Sequence, residues 1–238
     1  MQTHDIEEGL TKTVSLLDKL RQAIYRGEFA PGQRLVESDL ARKYETSRGA
    51  VREALALLVN EGLISRQRNR SAWVRPVSIE EAIEILEVRA LVEGLCAAKA
   101  ATRATEEDHR ELRKMADEMT DAVKNGDVVT DSRVSDQVHA KIRQIAGQQT
   151  ATGIIERLRY QGVRYRFHVS LLPGRLAQGL TEHLGIIEAV IDGDAEAAEQ
   201  LTREHFASVI EALHVLANAN PAPFTPLASL AWVALTPR

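Results

Sequence analysis

The chain has 238 residues, 44% hydrophobic and 27% charged, with a net charge of −4 and one cysteine, Cys96. That length supports one large or two ordinary domains, and a single cysteine excludes an internal disulfide framework. No run approaches the roughly 18 apolar residues of a membrane span, and residues 1–20 carry acids rather than a signal-peptide core, so a cytoplasmic protein is expected.

The charge is unevenly spread. Residues 1–75 hold 13 Lys and Arg against 10 Asp and Glu, whereas the remainder holds 17 against 24. Between Arg42 and Arg75 the imbalance sharpens to 8 basic against 3 acidic residues, so a polyanion partner is expected for this end only.

The first helix is expected over about 13–27, where Val14, Leu17, Leu20 and Ile24 recur at helical spacing. Pro31-Gly32 breaks it as a turn. A short helix follows near Glu37–Tyr44, Glu45-Thr46 turns the chain, and Ser47 caps a third helix with Val51, Leu55 and Leu58 on its inner face. This helix stops near Gly62. Leu63–Arg66 and Ala72–Arg75 then read as paired strands around the basic tip Q-R-N-R-S. Together these elements spell a winged helix-turn-helix, closed by Pro76 and Val77.

From Ser78 onward only helical patterns recur, near 78–103, 105–125, 130–146, 149–171, 175–192 and 194–218, with breaks at Gly147, Pro173-Gly174 and Gly193-Asp194. The fold class is therefore dominated by helices, a winged head followed by an antiparallel six-helix bundle. The domains are set at 1–76 for the head, 77–219 for the body and 220–238 for a tail holding four prolines and the apolar patch L-A-S-L-A-W-V-A-L. Cys96, within E-G-L-C-A-A-K-A, reads as a small buried helix residue.

The stretch E-T-S-R-G-A-V-R-E-A-L poses a physical question, because Arg48 and Arg52 stand at a helix start, where the dipole disfavours cations. A helix whose first turn lies in the DNA major groove resolves it, since arginine there meets guanine edges or phosphates. The plainer alternative is a solvated face, with Arg52 satisfied by Glu45 or Glu53. The basic wing tip and the Pro-Gly turn favour DNA, and the candidate DNA-binding residues are Arg42, Ser47, Arg48, Arg52, Arg68 and Arg70.

In the body, His139, His183 and His205 each share a helix face with apolar neighbours and point inward. Singly, each reads as a hydrogen-bonded core histidine. Three on three helices of one bundle read as a transition-metal site, with zinc, nickel and manganese equally open. Arg89 lies near the inner face with Ile85, Leu86 and Val92; it is either a carboxylate-gripping pocket residue or half of a helix-surface pair with Glu93.

Residues 16–75, through L-R-Q-A-I-Y-R-G-E-F-A-P-G-Q-R-L, E-S-D-L-A-R-K-Y, S-R-G-A-V-R-E-A-L, L-V-N-E-G-L-I and R-N-R-S-A-W-V, resemble the DNA-binding domain of the GntR family of bacterial transcription regulators. Ser38 and Ser71 depart from that pattern, which more often carries Arg and Gly there. Residues 78–218, through V-R-A-L-V-E-G-L-C-A-A-K-A-A, H-A-K-I-R-Q-I-A-G, E-H-L-G-I-I-E-A-V-I-D-G-D-A-E-A-A and R-E-H-F, resemble its FCD-type effector domain, in the VanR-like group of the FadR subfamily. The resemblance implies a homodimer on near-palindromic double-stranded operator DNA, a small carboxylate effector near Arg89, and a divalent metal held by one Asp and three His. The histidines match His139, His183 and His205. The Asp position, four before the first His, is Ser135 here; the nearest acid, Asp136, three before and on nearly the same helix face as His139, is the candidate fourth ligand in its place, with water or effector completing the shell as the alternative.

The expected function is an effector-responsive transcription regulator, a repressor released by a small organic acid. Two other classes are weighed: a constitutive architectural DNA-binding dimer, and a metal-dependent hydrolase. The sequence carries no H-E-x-x-H, no G-x-S-x-G and no phosphate-binding glycine loop, so an enzyme is not expected.

Overall fold

A computed structural model of the chain describes residues 15–24, 27–66 and 72–219, apart from the side chains of 160 and 162–168. These residues form two compact units that divide between Val77 and Ser78.

The first unit opens with helix α1, described over 15–24, whose Leu16, Leu17, Leu20 and Ala23 are buried. Strand β1 (Arg34–Leu35), helix α2 (Glu37–Lys43), helix α3 (Arg48–Asn60) and strands β2 (Ile64–Arg66) and β3 (Ala72–Val74) follow. Ser47 caps α3 as expected, its side chain accepting the Ala50 N–H at 3.1 Å. Val51, Ala54, Leu55 and Leu58 make the buried face of α3. Arg21 of α1 is forked onto Glu61 at the end of α3, with Nε 2.8 Å from Oε2, which ties the two helices.

The wing is larger than the sequence implies. Its sheet runs β1-β3-β2, all antiparallel, with Arg34 opposite Trp73 and Ile64 opposite Val74. Two residues are too few to show the alternation by which a strand is read. Glycine makes the extra strand possible: Gly32 adopts φ +72° just after Pro31 and donates its N–H to Val74 at 2.8 Å, folding the turn onto the hairpin.

The second unit is all helical among its described residues: α4 (Ile79–Ala101), α5 (Glu106–Lys124), α6 (Val128–Ala146), α7 (Gln149–Ser170), α8 (Arg175–Ile191) and α9 (Ala195–Ala219). Every one of the six expected helices is present, with ends within two residues of expectation. The caps explain the boundaries. Ser78 caps α4, Thr105 and Asp108 form a reciprocal capping box on α5, and Asp194 accepts the Ala197 N–H at 3.0 Å at the start of α9. Helix α4 packs most extensively on α9, where Gly94 permits close approach: a Cβ there would stand 3.2 Å from Cγ of Glu199, which would have to give by a few tenths of an ångström. Cys96, Ala97, Leu112, Met119, Val134, Val138, Ile155, Ile186 and Val190 fill the core, so the cysteine is indeed a small buried residue.

This core is not wholly apolar. Glu93, Asp131, Ser135, His139, Lys141, Arg143, Arg175, His183, Thr202 and His205 are all buried, and all belong to this unit. Burying polar groups is costly unless they are paired, so the partners of these side chains matter. No described helix is long and apolar enough to cross a membrane.

Candidate functional site

The head presents its cations on one side of α3. The first turn of α3 contains no acid, and Ser47, Arg48 and Arg52 are exposed. Among the described residues Arg48 has no ion pair, so its guanidinium is available to a ligand. Arg52 is held at 3.2 Å by Glu37 of α2, the same carboxylate that binds Arg66 of β2 at 2.9 Å. The partner is neither Glu45 nor Glu53: Glu37 reaches Arg52 across the turn between the helices, a juxtaposition that sequence spacing does not reveal. Arg42 is exposed and lies 3.6 Å from Asp39. Arg68, Arg70 and Ser71, at the wing tip, lie outside the described residues, as does the tail 220–238.

In the body, the three histidines meet. One ring nitrogen of each of His139, His183 and His205 lies within 4.8 Å of the others, and all three side chains are buried. Helices α6, α8 and α9 each supply one. The ring centroids are 4.5 to 5.5 Å apart.

The hydrogen bonds around the rings decide their tautomers. Nδ1 of His139 lies 3.1 Å from Oε2 of Glu93, Nδ1 of His183 lies 2.7 Å from the Gly179 carbonyl, and Nδ1 of His205 lies 2.8 Å from Oε2 of Glu182. Each of those oxygens only accepts, so each Nδ1 carries a proton, and in the neutral form of each ring the lone pair stands on Nε2. This is the outer support that metal-binding imidazoles need. Burial pushes the His205 imidazolium down to about 4, against the upward pull of Glu182, so the ring is neutral near pH 7 and its lone pair is available.

The supporting carboxylates are themselves clamped. Glu93 is 3% exposed; its Oε1 accepts from Arg89 Nε at 2.9 Å and Nη2 at 2.5 Å, and its Oε2 from Arg143 Nη1 at 3.4 Å. Burial works to raise its pKa, but Arg89 foremost, then His139 and Arg143, hold it well below the usual carboxylate range. Glu182 accepts from Arg175 at 3.1 and 3.0 Å and from Ser208 at 2.6 Å. Burial opposes its ionisation, yet bonds from His205, Ser208 and Arg175 bring it to about 2.

Arg89 therefore does pair with Glu93, but inside the bundle rather than on its surface. Its guanidinium also lies 5.0 Å over the ring of Phe206, which stands 5.4 Å from the His205 ring and 5.9 Å from that of His139. Arg89 thus belongs to the same cluster as the histidines. Asp136 does not: the group is made of the three histidines alone, and Asp136 is only half-buried. Positions 135 and 136 are offset by about 100° around the helix, so they flank His139 on opposite sides. The cluster lies on the flank of Ser135, whose Oγ is 2.9 Å from Nε2 of His183.

Glu93, Glu182, Arg143, Arg175 and Phe206 escaped the sequence reading as site residues. A signal for Glu93 was present: it follows Ile85 and Arg89 at two steps of four and is flanked by Gly94 and Cys96, a setting of close packing.

Comparison with known proteins agrees with both halves. Residues 12–74 match the bacterial regulatory proteins of the gntR family, and residues 84–208 match the FCD domain. The HTH-type transcriptional repressor RspR of Escherichia coli K12 is 28% identical over 205 residues, 84% of this chain and 88% of that protein. Among solved structures, E. coli McbR/YncC superposes with a TM-score of 0.76 at 23% identity, covering 86% of this chain and 98% of that one. A GntR transcriptional regulator from Rhodococcus sp. RHA1 gives 0.68 at 26% identity, covering 86% and 98%. The chain belongs to the GntR family of bacterial transcription regulators, a DNA-binding regulator with an FCD effector domain.

Proposed function

We propose that this regulator is a homodimeric repressor, released from its operator by a small carboxylate bound in the body beside a divalent metal. Residues 1–76 read DNA, residues 77–219 bind effector and partner protomer, and the tail 220–238 has no assigned part. The observation that carries the reading is the convergence of three buried histidines whose Nδ1 protons are all committed elsewhere. One ligand atom of each ring lies within 4.8 Å of the other two, a spacing that a single ion could bridge.

His139, His183 and His205 are the metal ligands in this reading, and Asp136 is not. The bound ion supplies a Lewis-acidic anchor for an anionic oxygen. Arg89, supported by Glu93, adds a cation on the same side, so a carboxylate meets positive charge from two directions. Release requires that effector bind the DNA-incompetent state more tightly than the competent one. The repressor assignment is supported by the name of RspR. Dimerisation is supported by an exposed apolar stripe on α4, Val88, Leu91 and Leu95, at helical spacing. Two protomers related by a twofold axis would offer two α3 helices to two half-sites.

The test combines elemental analysis of the purified protein with operator binding in the presence of a panel of small carboxylates. The expected results are a divalent ion bound per protomer, loss of that ion in His183→Ala, and operator release by one acid in the wild type only. Metal-free protein that also binds no added zinc, nickel or manganese would remove the basis of the metal assignment.

A further inference from the structure

A carboxylate stands among the cations of the head. Glu37, in the first turn of α2, gives each oxygen to a different element: Oε2 accepts from Nη2 of Arg52 on α3 at 3.2 Å, and Oε1 from Nη2 of Arg66 on β2 at 2.9 Å. An acid is the wrong charge for a surface that meets phosphates, because it subtracts from the attraction that docks the protein on any duplex. The helix dipole of α2 welcomes an acid there, but Asp39 supplies one in the same turn. The dipole also gives no reason for one carboxylate to join the recognition helix to the wing.

The two contacts are unequal. Arg52 is the longer contact and the more exposed side chain, 62% against 35% for Arg66. Arg66 is further restrained by its place in a paired strand, opposite Ala72. The Arg52 bond is therefore the one that opens when α3 enters the groove, while Arg66 keeps Oε1. That leaves Oε2 vacant beside a polyanion, where only a donor satisfies it. In the major groove guanine presents two acceptors, thymine an acceptor and a methyl group, and adenine an amino group flanked by the acceptor N7. Cytosine alone offers an amino donor with no acceptor beside it on the same base.

We infer that Glu37 is a specificity-determining residue of the head: it holds Arg52 back from phosphates and, once Arg52 turns to DNA, reads a cytosine through the vacated oxygen, with Arg66 as the positioning residue. On other sequences Arg52 merely exchanges one anion for another and strands Oε2, so non-specific docking gains little. At the operator both groups find partners together, a guanine edge for the arginine and a cytosine amino group for the acid. The inference rests on the docking of α3 in the major groove and adds to it a negatively charged reader.

The full-length protein is used to select from a pool of random-sequence duplexes, and anisotropy then follows binding to the selected duplex and to a scrambled one over a range of salt. Glu37→Gln keeps one oxygen, which Arg66 takes, and puts an amide NH2 where Oε2 stood. It is expected to lose the cytosine that wild type selects at one position of each half-site. On scrambled DNA it should bind about 10-fold tighter near 0.1 M salt, with a salt slope steeper by about 1, because the freed Arg52 neutralises one more phosphate. Arg66→Gln leaves the carboxylate unheld and should blur the same position. Glu37→Ala removes both oxygens where alanine favours the helix, and takes the place of Glu37→Gln if melting curves show that variant unfolded. Glu28→Gln controls for the loss of one negative charge, since Glu28 is bound to Lys43 at 3.2 Å, and it should leave the selected sequence unchanged. Identical selected sequences from wild type and the Glu37 variants overturn the inference, as does a gain on scrambled DNA that Glu28→Gln reproduces in full. A wild type that selects no sequence overturns the docking of α3, and the inference with it.

Discussion

Glu93→Gln puts the buried network to its hardest test. The amide fills the same space as the carboxylate but carries no charge, and only one of its two polar atoms can accept. In the native protein both oxygens accept, Oε1 from Arg89 and Oε2 from Arg143 and His139. After the change an NH2 group faces either a guanidinium or an Nδ1–H, and two cations lose their counter-charge. Breaking a buried ion pair from one side costs about 3–5 kcal/mol. Arg143, 5% exposed, cannot turn to water, although Glu156 at 3.6 Å offers it a remaining partner. Arg89 has more latitude, its side chain being 16% exposed. These outlets place the expected loss near the lower bound, about 3 kcal/mol. For a protein of this size that is a fall of roughly 6–12 °C in the melting midpoint of the body. Thermal unfolding followed by circular dichroism, on wild type and variant without added metal, reads it directly. A fall below about 2 °C would mean the charges are already solvated and the buried network is no constraint on His139.

Arg48→Ala and Arg52→Ala should each weaken operator binding by about 1–3 kcal/mol if the side chain meets a base edge. Arg52 must first leave Glu37, a surface pair worth about 0–1 kcal/mol, so the loss at Arg48 should be the larger. Anisotropy titrations on operator and scrambled DNA at two salt concentrations separate base from phosphate contacts, and unchanged binding in both variants refutes the docking. Asp108, bonded to Lys141 at 2.7 Å and to Thr105, has its carboxyl lowered from 3.8 to about 2, chiefly by the Lys141 bond. Because the folded value is depressed, its stabilisation is fully present above pH 3.8 and is lost as pH falls toward 2. Asp108→Asn should flatten that part of the acid-unfolding curve, and an unaltered curve would discount the α5–α6 bridge. If the exposed stripe of α4 is the interface of the proposed dimer, Leu91→Asp should yield monomer in sedimentation equilibrium where wild type is dimeric; a dimer that persists unchanged assigns the interface elsewhere.

The parts of this protein that were legible in its sequence are those with short-range causes. Ser47 caps its helix because its side chain reaches a backbone N–H three residues on, and that reach is the same in any fold. The inward faces of the bundle helices follow from a period of about 3.6 residues, so the inward direction of the three histidines follows with them. Strand β1 was not legible, because a two-residue strand exists only through its partner β3.

Choice of partner was the harder matter. Arg52 has acids on both sides in sequence, yet it binds Glu37, 15 residues away, because α2 crosses before α3. Arg89 and Glu93 stand four apart, as any surface pair does, and only the approach of α6 and α9 turns them into a buried support for His139. The same holds for Ser135 and Asp136, adjacent residues on opposite flanks of His139, where the position of α8 selects the serine. Periodicity determines which face of a helix turns inward. Which atoms meet there is decided by how the helices cross, since an offset of one residue rotates a side chain by about 100° and no local rule senses the neighbour it then encounters.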